Sequence, residues 1–172
     1  MGEGGQDLRR KGGLTAVLLN VNGAQHQIDA AEDTLLIYAL RNQLGLKGTR
    51  YGCGADQCGA CYVLMDDRAV PACDTPLWAA AGKRITTVEG LGTPGRPHAL
   101  QRAFIAEQAA QCGYCSSGIL VTCAALLARN PDPAEAEVRE ALDRHLCRCG
   151  THNRIVRAVL KAAHELRAGR AA

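Results

Sequence analysis

The run GTRYGCGADQCGAC, residues 48–61, sets Cys53, Cys58 and Cys61 beside Gly52, Gly54 and Gly59. It shows neither the two-residue alternation of a strand nor the 3.6-residue period of a helix, so it reads as a loop. Glycine lets backbone approach a bound group closely and adopt positive φ, so that successive N–H groups can point the same way. With Cys73 downstream, the pattern is C-x4-C-x2-C-x11-C. Nine cysteines in 172 residues exceed ordinary usage. Three explanations compete: a disulfide framework, zinc, or iron–sulfur ligation.

The disulfide framework is the weakest of these. The opening MGEGGQDLRRKGG lacks the apolar stretch of a signal peptide, and no hydrophobic segment follows Arg9-Arg10. No segment is long and apolar enough to cross a bilayer, so direct membrane insertion is not expected. The chain is expected in the cytoplasm, or at a membrane or in the periplasm only through partner subunits. Stable disulfides are rare in a reducing compartment. The formal charge of +3 is not gathered into a basic stripe with interleaved aromatics, so nucleic acid is not an expected partner. Zinc sites more often show paired C-x2-C spacings with less glycine. The x4 and x2 spacings with a later fourth cysteine are those of plant-type [2Fe–2S] ferredoxins.

Outward from this loop, the first half of the chain reads as a small mixed sheet with one helix. Asn22-Gly23 inside LTAVLLNVNGAQHQID predicts a hairpin over 14–29. DTLLIYALRNQLG predicts a helix capped near Asp33 or Thr34 and stopped at Gly45. Tyr62–Met65, Ala69-Val70 and Arg84–Leu91 are short strand candidates. GTPGRP, residues 92–97, reads as a linker, and the pattern beyond it is helical. The first helix is expected over 98–108 with Leu100, Phe104 and Ile105 inward, and the second over 117–129. A third starts with Asp132 as N-cap and Pro133 at its first position, lining one face with Val138, Ala141, Leu142 and Leu146. The last covers 152–167. The division expected is a disordered tail over 1–13, a sheet-containing domain over 14–91 and a helical domain over 92–172.

The helical half carries its own cysteine pattern. Cys112, Cys115, Cys147 and Cys149 read C-x2-C-x31-C-x-C. Cys147 and Cys149, in LCRCGTHNR, would point apart on a helix and cannot easily bridge on a strand. They suit backbone bent around something that both sulfurs hold. Each pair precedes a predicted helix start, at Ser116-Ser117 and at Thr151, where helix dipoles favour an anionic group. Two oxidised four-thiolate clusters at about −2 each would take +3 to about −1. Cys123, on the apolar face of its helix, reads as a small buried hydrophobe. No role is assigned to His26, His98, His145 or His164.

Both patterns, in this order, resemble the small iron–sulfur subunits of the xanthine oxidase-type molybdenum hydroxylases. GTRYGCGADQCGAC, ITTVEGLG, QCGYCSSGIL and LCRCGTHNRI carry the resemblance, which extends from about Leu14 to Arg167. PHALQRAFIAEQAAQCGYC and CRCGTH look most like the nicotinate dehydrogenase and isoquinoline oxidoreductase type. The resemblance implies an α+β chain: an N-terminal β-grasp, ferredoxin-like domain followed by a C-terminal four-helix bundle, with one [2Fe–2S] cluster in each. Cys53, Cys58, Cys61 and Cys73 would hold one, and Cys112, Cys115, Cys147 and Cys149 the other. A large partner subunit would hold a molybdenum–pterin cofactor, contacted here by Gln111 and Cys149. Electrons would pass to a cytochrome c domain or subunit, or to an FAD subunit. The implied overall reaction is hydroxylation of an N-heteroaromatic such as nicotinate or isoquinoline, with an aldehyde-oxidising enzyme as the alternative. A free ferredoxin-like carrier and a zinc-stabilised module are the readings outside this class. Where many relatives have tyrosine after CRCGT, this chain has His152.

Overall fold

The computed structural model describes residues 15–170. The expected tail over 1–13, together with Leu14, lies outside the described residues. Strands β1 (Thr15–Val21) and β2 (Ala24–Ala30) form the predicted hairpin, with Val21 opposite Ala24. Asn22 and Gly23 sit at φ of 52° and 83°, the left-handed pair that a tight two-residue turn matching strand twist requires. Val17, Leu19 and Val21 are buried while Leu18 is 52% exposed, so one face of the strand meets the core.

Strands β3 (Tyr62–Met65), β4 (Arg68–Pro71) and β5 (Arg84–Thr86) complete a mixed sheet of order β2-β1-β5-β3-β4. β5 runs parallel to β1 and antiparallel to β3. The stretch RITTVEGL, expected as one strand, ends early because residues Val88–Gly90 turn into a 3-10 helix. That turn is tied back to the hairpin. Asn22 donates its backbone N–H to the Ile85 carbonyl at 2.8 Å, and its side-chain Oδ1 accepts from the Thr87 amide at 2.9 Å.

The helix expected over 33–45 is shorter and irregular: α1 (Leu36–Tyr38) continues as a π-helical turn over Ala39–Gln43. Neither Asp33 nor Thr34 caps it. Its first amides instead bond elsewhere, Leu36 to the Thr75 carbonyl at 2.7 Å and Ile37 to the Ala72 carbonyl at 3.0 Å. Unsatisfied N–H groups at a helix start thus hold the segment that carries Cys73. A short α2 (Leu77–Ala80), which no sequence signal announces, follows.

Four helices, α3 (Ala99–Ala106), α4 (Ser116–Arg129), α5 (Glu135–Ala141) and α6 (His152–Arg170), share a second apolar core. Phe104, Ile119, Val138 and Val159 are among its buried residues. Three details depart from expectation. Ile105 is 77% exposed, because Leu100, Ala103 and Phe104 already define the inward stripe of α3. Leu146, at 63% exposed, lies past the end of α5 and so off its buried face. The cap of α5 falls at Ala134, whose N–H donates to Glu137 Oε2 at 2.7 Å, while Asp132 pairs with Arg167.

Helix α4 joins the two cores, since it packs against β3 and β4 as well as against α3 and α5. The approach is closest at Gly118, where a Cβ would lie 1.9 Å from the Gly59 carbonyl oxygen. Among the described residues no helix is long and apolar enough to cross a membrane.

Candidate metal centres

The two cysteine patterns fold into two separate groups. In the first, the loop 50–60 curls so that backbone amides face sulfur. The Cys53 N–H donates to Cys58 Sγ at 3.4 Å, and the amides of Ala55 and Gln57 donate to Cys53 Sγ at 3.4 and 3.2 Å. Gly54 and Gly59 take φ of 70° and 71°, the freedom that lets the loop turn there. Gly52 is needed for space, since a Cβ would lie 2.7 Å from Cys58 Sγ. Cys61 and Cys73 are buried and adjacent, their segments joined by the Ala72 N–H donating to the Cys61 carbonyl at 3.2 Å.

In the second group, Cys112 and Cys149 bring their sulfurs to 3.5 Å, and Cys115 lies against Cys147. Helix α4 starts directly after Cys115 and α6 shortly after Cys149, as the sequence predicts. The Thr151 hydroxyl sits 3.3 Å from Cys147 Sγ.

The thiols of each group are electrostatically unequal. The little burial that exposed Cys53 has opposes its ionisation, yet the amides of Ala55 and Gln57 prevail and bring it down to about 7. Burial likewise opposes ionisation of Cys147, and the Thr151 hydroxyl and amide bring it down to about 7. Burial pushes Cys61 and Cys115 up to about 12. Cys147, which ionises easily beside the raised thiol of Cys115, forms with it a starting pair for a metal centre, whose charge then drives the second proton off. Cys123, buried in the helical core, is also pushed up to about 12, by burial alone.

Among the described residues, no three His, Cys, Asp or Glu side chains converge on one point as a single ion would need. The thiols instead come in twos: Cys53 with Cys58, Cys61 with Cys73, Cys112 with Cys149, and Cys115 with Cys147. Two irons taking two thiolates each match that arrangement. The amides aimed at sulfur also suit an anionic cluster.

Two family models match the chain, one over residues 19–86 described as a 2Fe-2S iron-sulfur cluster binding domain, and one over 87–160 described as a [2Fe-2S] binding domain. The chain is 51% identical to one of the subunits of nicotinate dehydrogenase from Pseudomonas putida, over 89% of its own length and 98% of that protein's. It belongs to the small iron–sulfur subunits of the molybdenum hydroxylases. The alpha chain of isoquinoline 1-oxidoreductase from Brevundimonas diminuta is 48% identical, over 80% of this chain and 90% of that one. A chain of the quinoline 2-oxidoreductase structure from Pseudomonas putida 86 superposes with a TM-score of 0.86 at 36% identity, covering 91% of this chain and 98% of that one. This iron–sulfur subunit carries two [2Fe–2S] clusters and serves electron transfer in a molybdenum-containing oxidoreductase.

The two groups face each other across an apolar cavity of about 230 Å³, lined by Cys53 and Cys58 on one side and Cys112 and Cys115 on the other. The segment 144–146 crosses beside it. Arg144 pairs with Asp56 at 2.8 Å, and the Leu146 N–H donates to the Cys58 carbonyl at 3.1 Å. Tyr62 also donates its hydroxyl to Asp56, at 3.0 Å. Between these, His145 is buried at 3% exposure. Its ring meets Tyr62 edge-on at 5.0 Å and presses on Gly59, where a Cβ would lie 2.2 Å from Nδ1. The Gly59 carbonyl is nearby, but neither ring nitrogen makes a well-formed hydrogen bond. Burial brings the His145 pKa down to about 4.

Sequence reasoning does not single out Asp56, His145 or Gly118. His145 lacks ligand partners at metal spacing, and its place two residues before Cys147 is the one signal that points to it. Gln111 is exposed on the bend that leads into Cys112, and Cys149 is half-buried in the second group.

Proposed function

We propose that this subunit relays single electrons from a molybdenum–pterin centre in a large partner, through a cluster held by Cys112, Cys115, Cys147 and Cys149. They pass on to one held by Cys53, Cys58, Cys61 and Cys73. When bound, each cluster accepts and releases one electron. The observation that carries this reading is the face-to-face placement of the two thiol groups, bridged by the 3.1 Å bond from the Leu146 amide to the Cys58 carbonyl. We take residues 14–91 as a β-grasp, ferredoxin-like unit and 92–172 as a four-helix unit, with the boundary in GTPGRP.

Gln111 and Cys149 would meet the pterin. Beside them, an apolar groove of about 930 Å³ lined by Pro97, Phe104, Ile105, Ala110 and Leu120 offers a seat for the large subunit. This accounts for the outward Ile105. Cys53 is exposed on its loop, which leaves the first group open to an acceptor there. Stacked Tyr38 and Tyr51, 5.8 Å apart between ring centroids, stand near it with Tyr114, whose hydroxyl bonds the Tyr51 carbonyl. A cytochrome c domain is favoured as that acceptor over a flavin subunit. The relatives' names point to an N-heteroaromatic substrate such as nicotinate or isoquinoline.

The test is co-expression with the large chain. Anaerobically purified complex should contain two [2Fe–2S] clusters per small chain, and substrate should bleach their visible absorption. Near-zero iron and acid-labile sulfide, or loaded clusters that substrate never reduces, would overturn the reading.

A further inference from the structure

Three successive residues, Arg144, His145 and Leu146, clasp three residues of the first thiol loop, Asp56, Gly59 and Cys58. The outer two contacts are polar: an ion pair at 2.8 Å and a backbone bond at 3.1 Å. The middle one is steric. The imidazole lies over Gly59, whose carbonyl side is closed by Gly118 of α4, so the loop is gripped from both sides. A buried ring with only the Gly59 carbonyl close by, and neither nitrogen in a well-formed hydrogen bond, is costly, and such a group needs a reason to be there. Its own hydrogen bonds do not supply one, but its volume does.

We propose that His145 is a positioning residue for electron transfer between the two clusters: its ring is a wedge that excludes water from the seam and holds the Cys58 carbonyl against the Leu146 amide. This rests on the relay reading above. The step served is the loss of one electron by the cluster at Cys147 and the gain of that electron by the cluster at Cys58, with no bond made or broken. A gap in place of the ring would admit water and let the loop and the segment drift apart. Packing defects of this kind relax only in part.

The experiment uses the complex, with its large partner chain present, and the variants His145→Ala, His145→Asn and His145→Phe. Two quantities are read: electron equilibration between the clusters by rapid-freeze EPR, and the magnetic splitting between them when both are reduced. Alanine should slow equilibration about tenfold, less than the roughly hundredfold that a full misplacement of reacting groups by about 1 Å can cost, and should weaken the splitting. Phenylalanine, which restores ring volume without nitrogens, should keep both within about twofold. Unchanged equilibration in alanine with both clusters loaded overturns the proposal, as does phenylalanine behaving like alanine. If alanine prevents loading, asparagine is read by the same criteria. Absence of equilibration in the native complex would instead bring down the relay reading, and the wedge with it.

Discussion

The Leu146 amide donates to the Cys58 carbonyl at 3.1 Å, joining the residue before one expected ligand, Cys147, directly to another. The two apolar cores are built from separate stretches of chain. Their thiol loops nonetheless touch through backbone. Intimate contact between independently packed units is the geometry that short-range electron passage needs. It also sets what single substitutions should and should not disturb.

Cys53 sits on the exposed loop, outside the helical core. Cys53→Ser should therefore disturb the first cluster and spare the second. Low-temperature EPR of the reduced protein should show one altered or missing signal and one intact. Loss of both signals together would contradict the two-unit arrangement.

Gln111 precedes Cys112 and is exposed where the large subunit is proposed to sit. Gln111→Ala should lower turnover about tenfold, in the range seen when outer hydrogen bonds around a metal site are removed. Both EPR signals should stay as they were. An unchanged rate would remove Gln111 from the pterin contact.

Gly118 admits no side chain, because a Cβ there would lie 1.9 Å from a backbone oxygen that cannot swing aside. Gly118→Ala should destabilise the chain by about 1–3 kcal/mol, the scale of overpacking. Gly169→Ala, on α6 where the added methyl meets nothing within 4 Å, is the control and should be neutral or slightly stabilising. Denaturant unfolding of the cluster-loaded protein separates the two.

His98 caps α3 with Nδ1 accepting the Leu100 N–H at 3.2 Å, which requires that nitrogen to be unprotonated. Burial, with help from nearby Arg102, holds its pKa below the ordinary histidine value. The folded state therefore resists protonation more than the unfolded chain does. Well above about pH 6.5 both are neutral and the cap contributes fully. As pH falls below that, the unfolded chain takes up the proton first and stability is lost. The loss should be at most about 1 kcal/mol, the worth of a typical N-cap. His98→Asn, which caps without titrating, should flatten this part of the profile when unfolding is compared at about pH 7.5 and about pH 5.5.

Local chemistry makes a good part of the molecule legible in advance. Cysteine spacing names the two thiol groups, because ligands to one cluster must lie on short, bent stretches of backbone. Asn22-Gly23 announces the hairpin, because only residues tolerant of positive φ allow that turn. Apolar periodicity places α3, α4 and α6 to within a few residues.

What stays hidden depends on partners distant in the chain. β5 lies between β1 and β3 through pairings no local signal encodes. The first helix lacks a side-chain cap because Ala72 and Thr75 supply carbonyls to its amides. Ile105 turns outward because its neighbours in α3 fill the inward stripe first. The burial of His145 and the closeness of Gly118 to Gly59 arise only when the two cores dock. Spacing along a chain constrains neighbours within a turn or a loop; contacts across the fold belong to packing, and packing is settled by the whole.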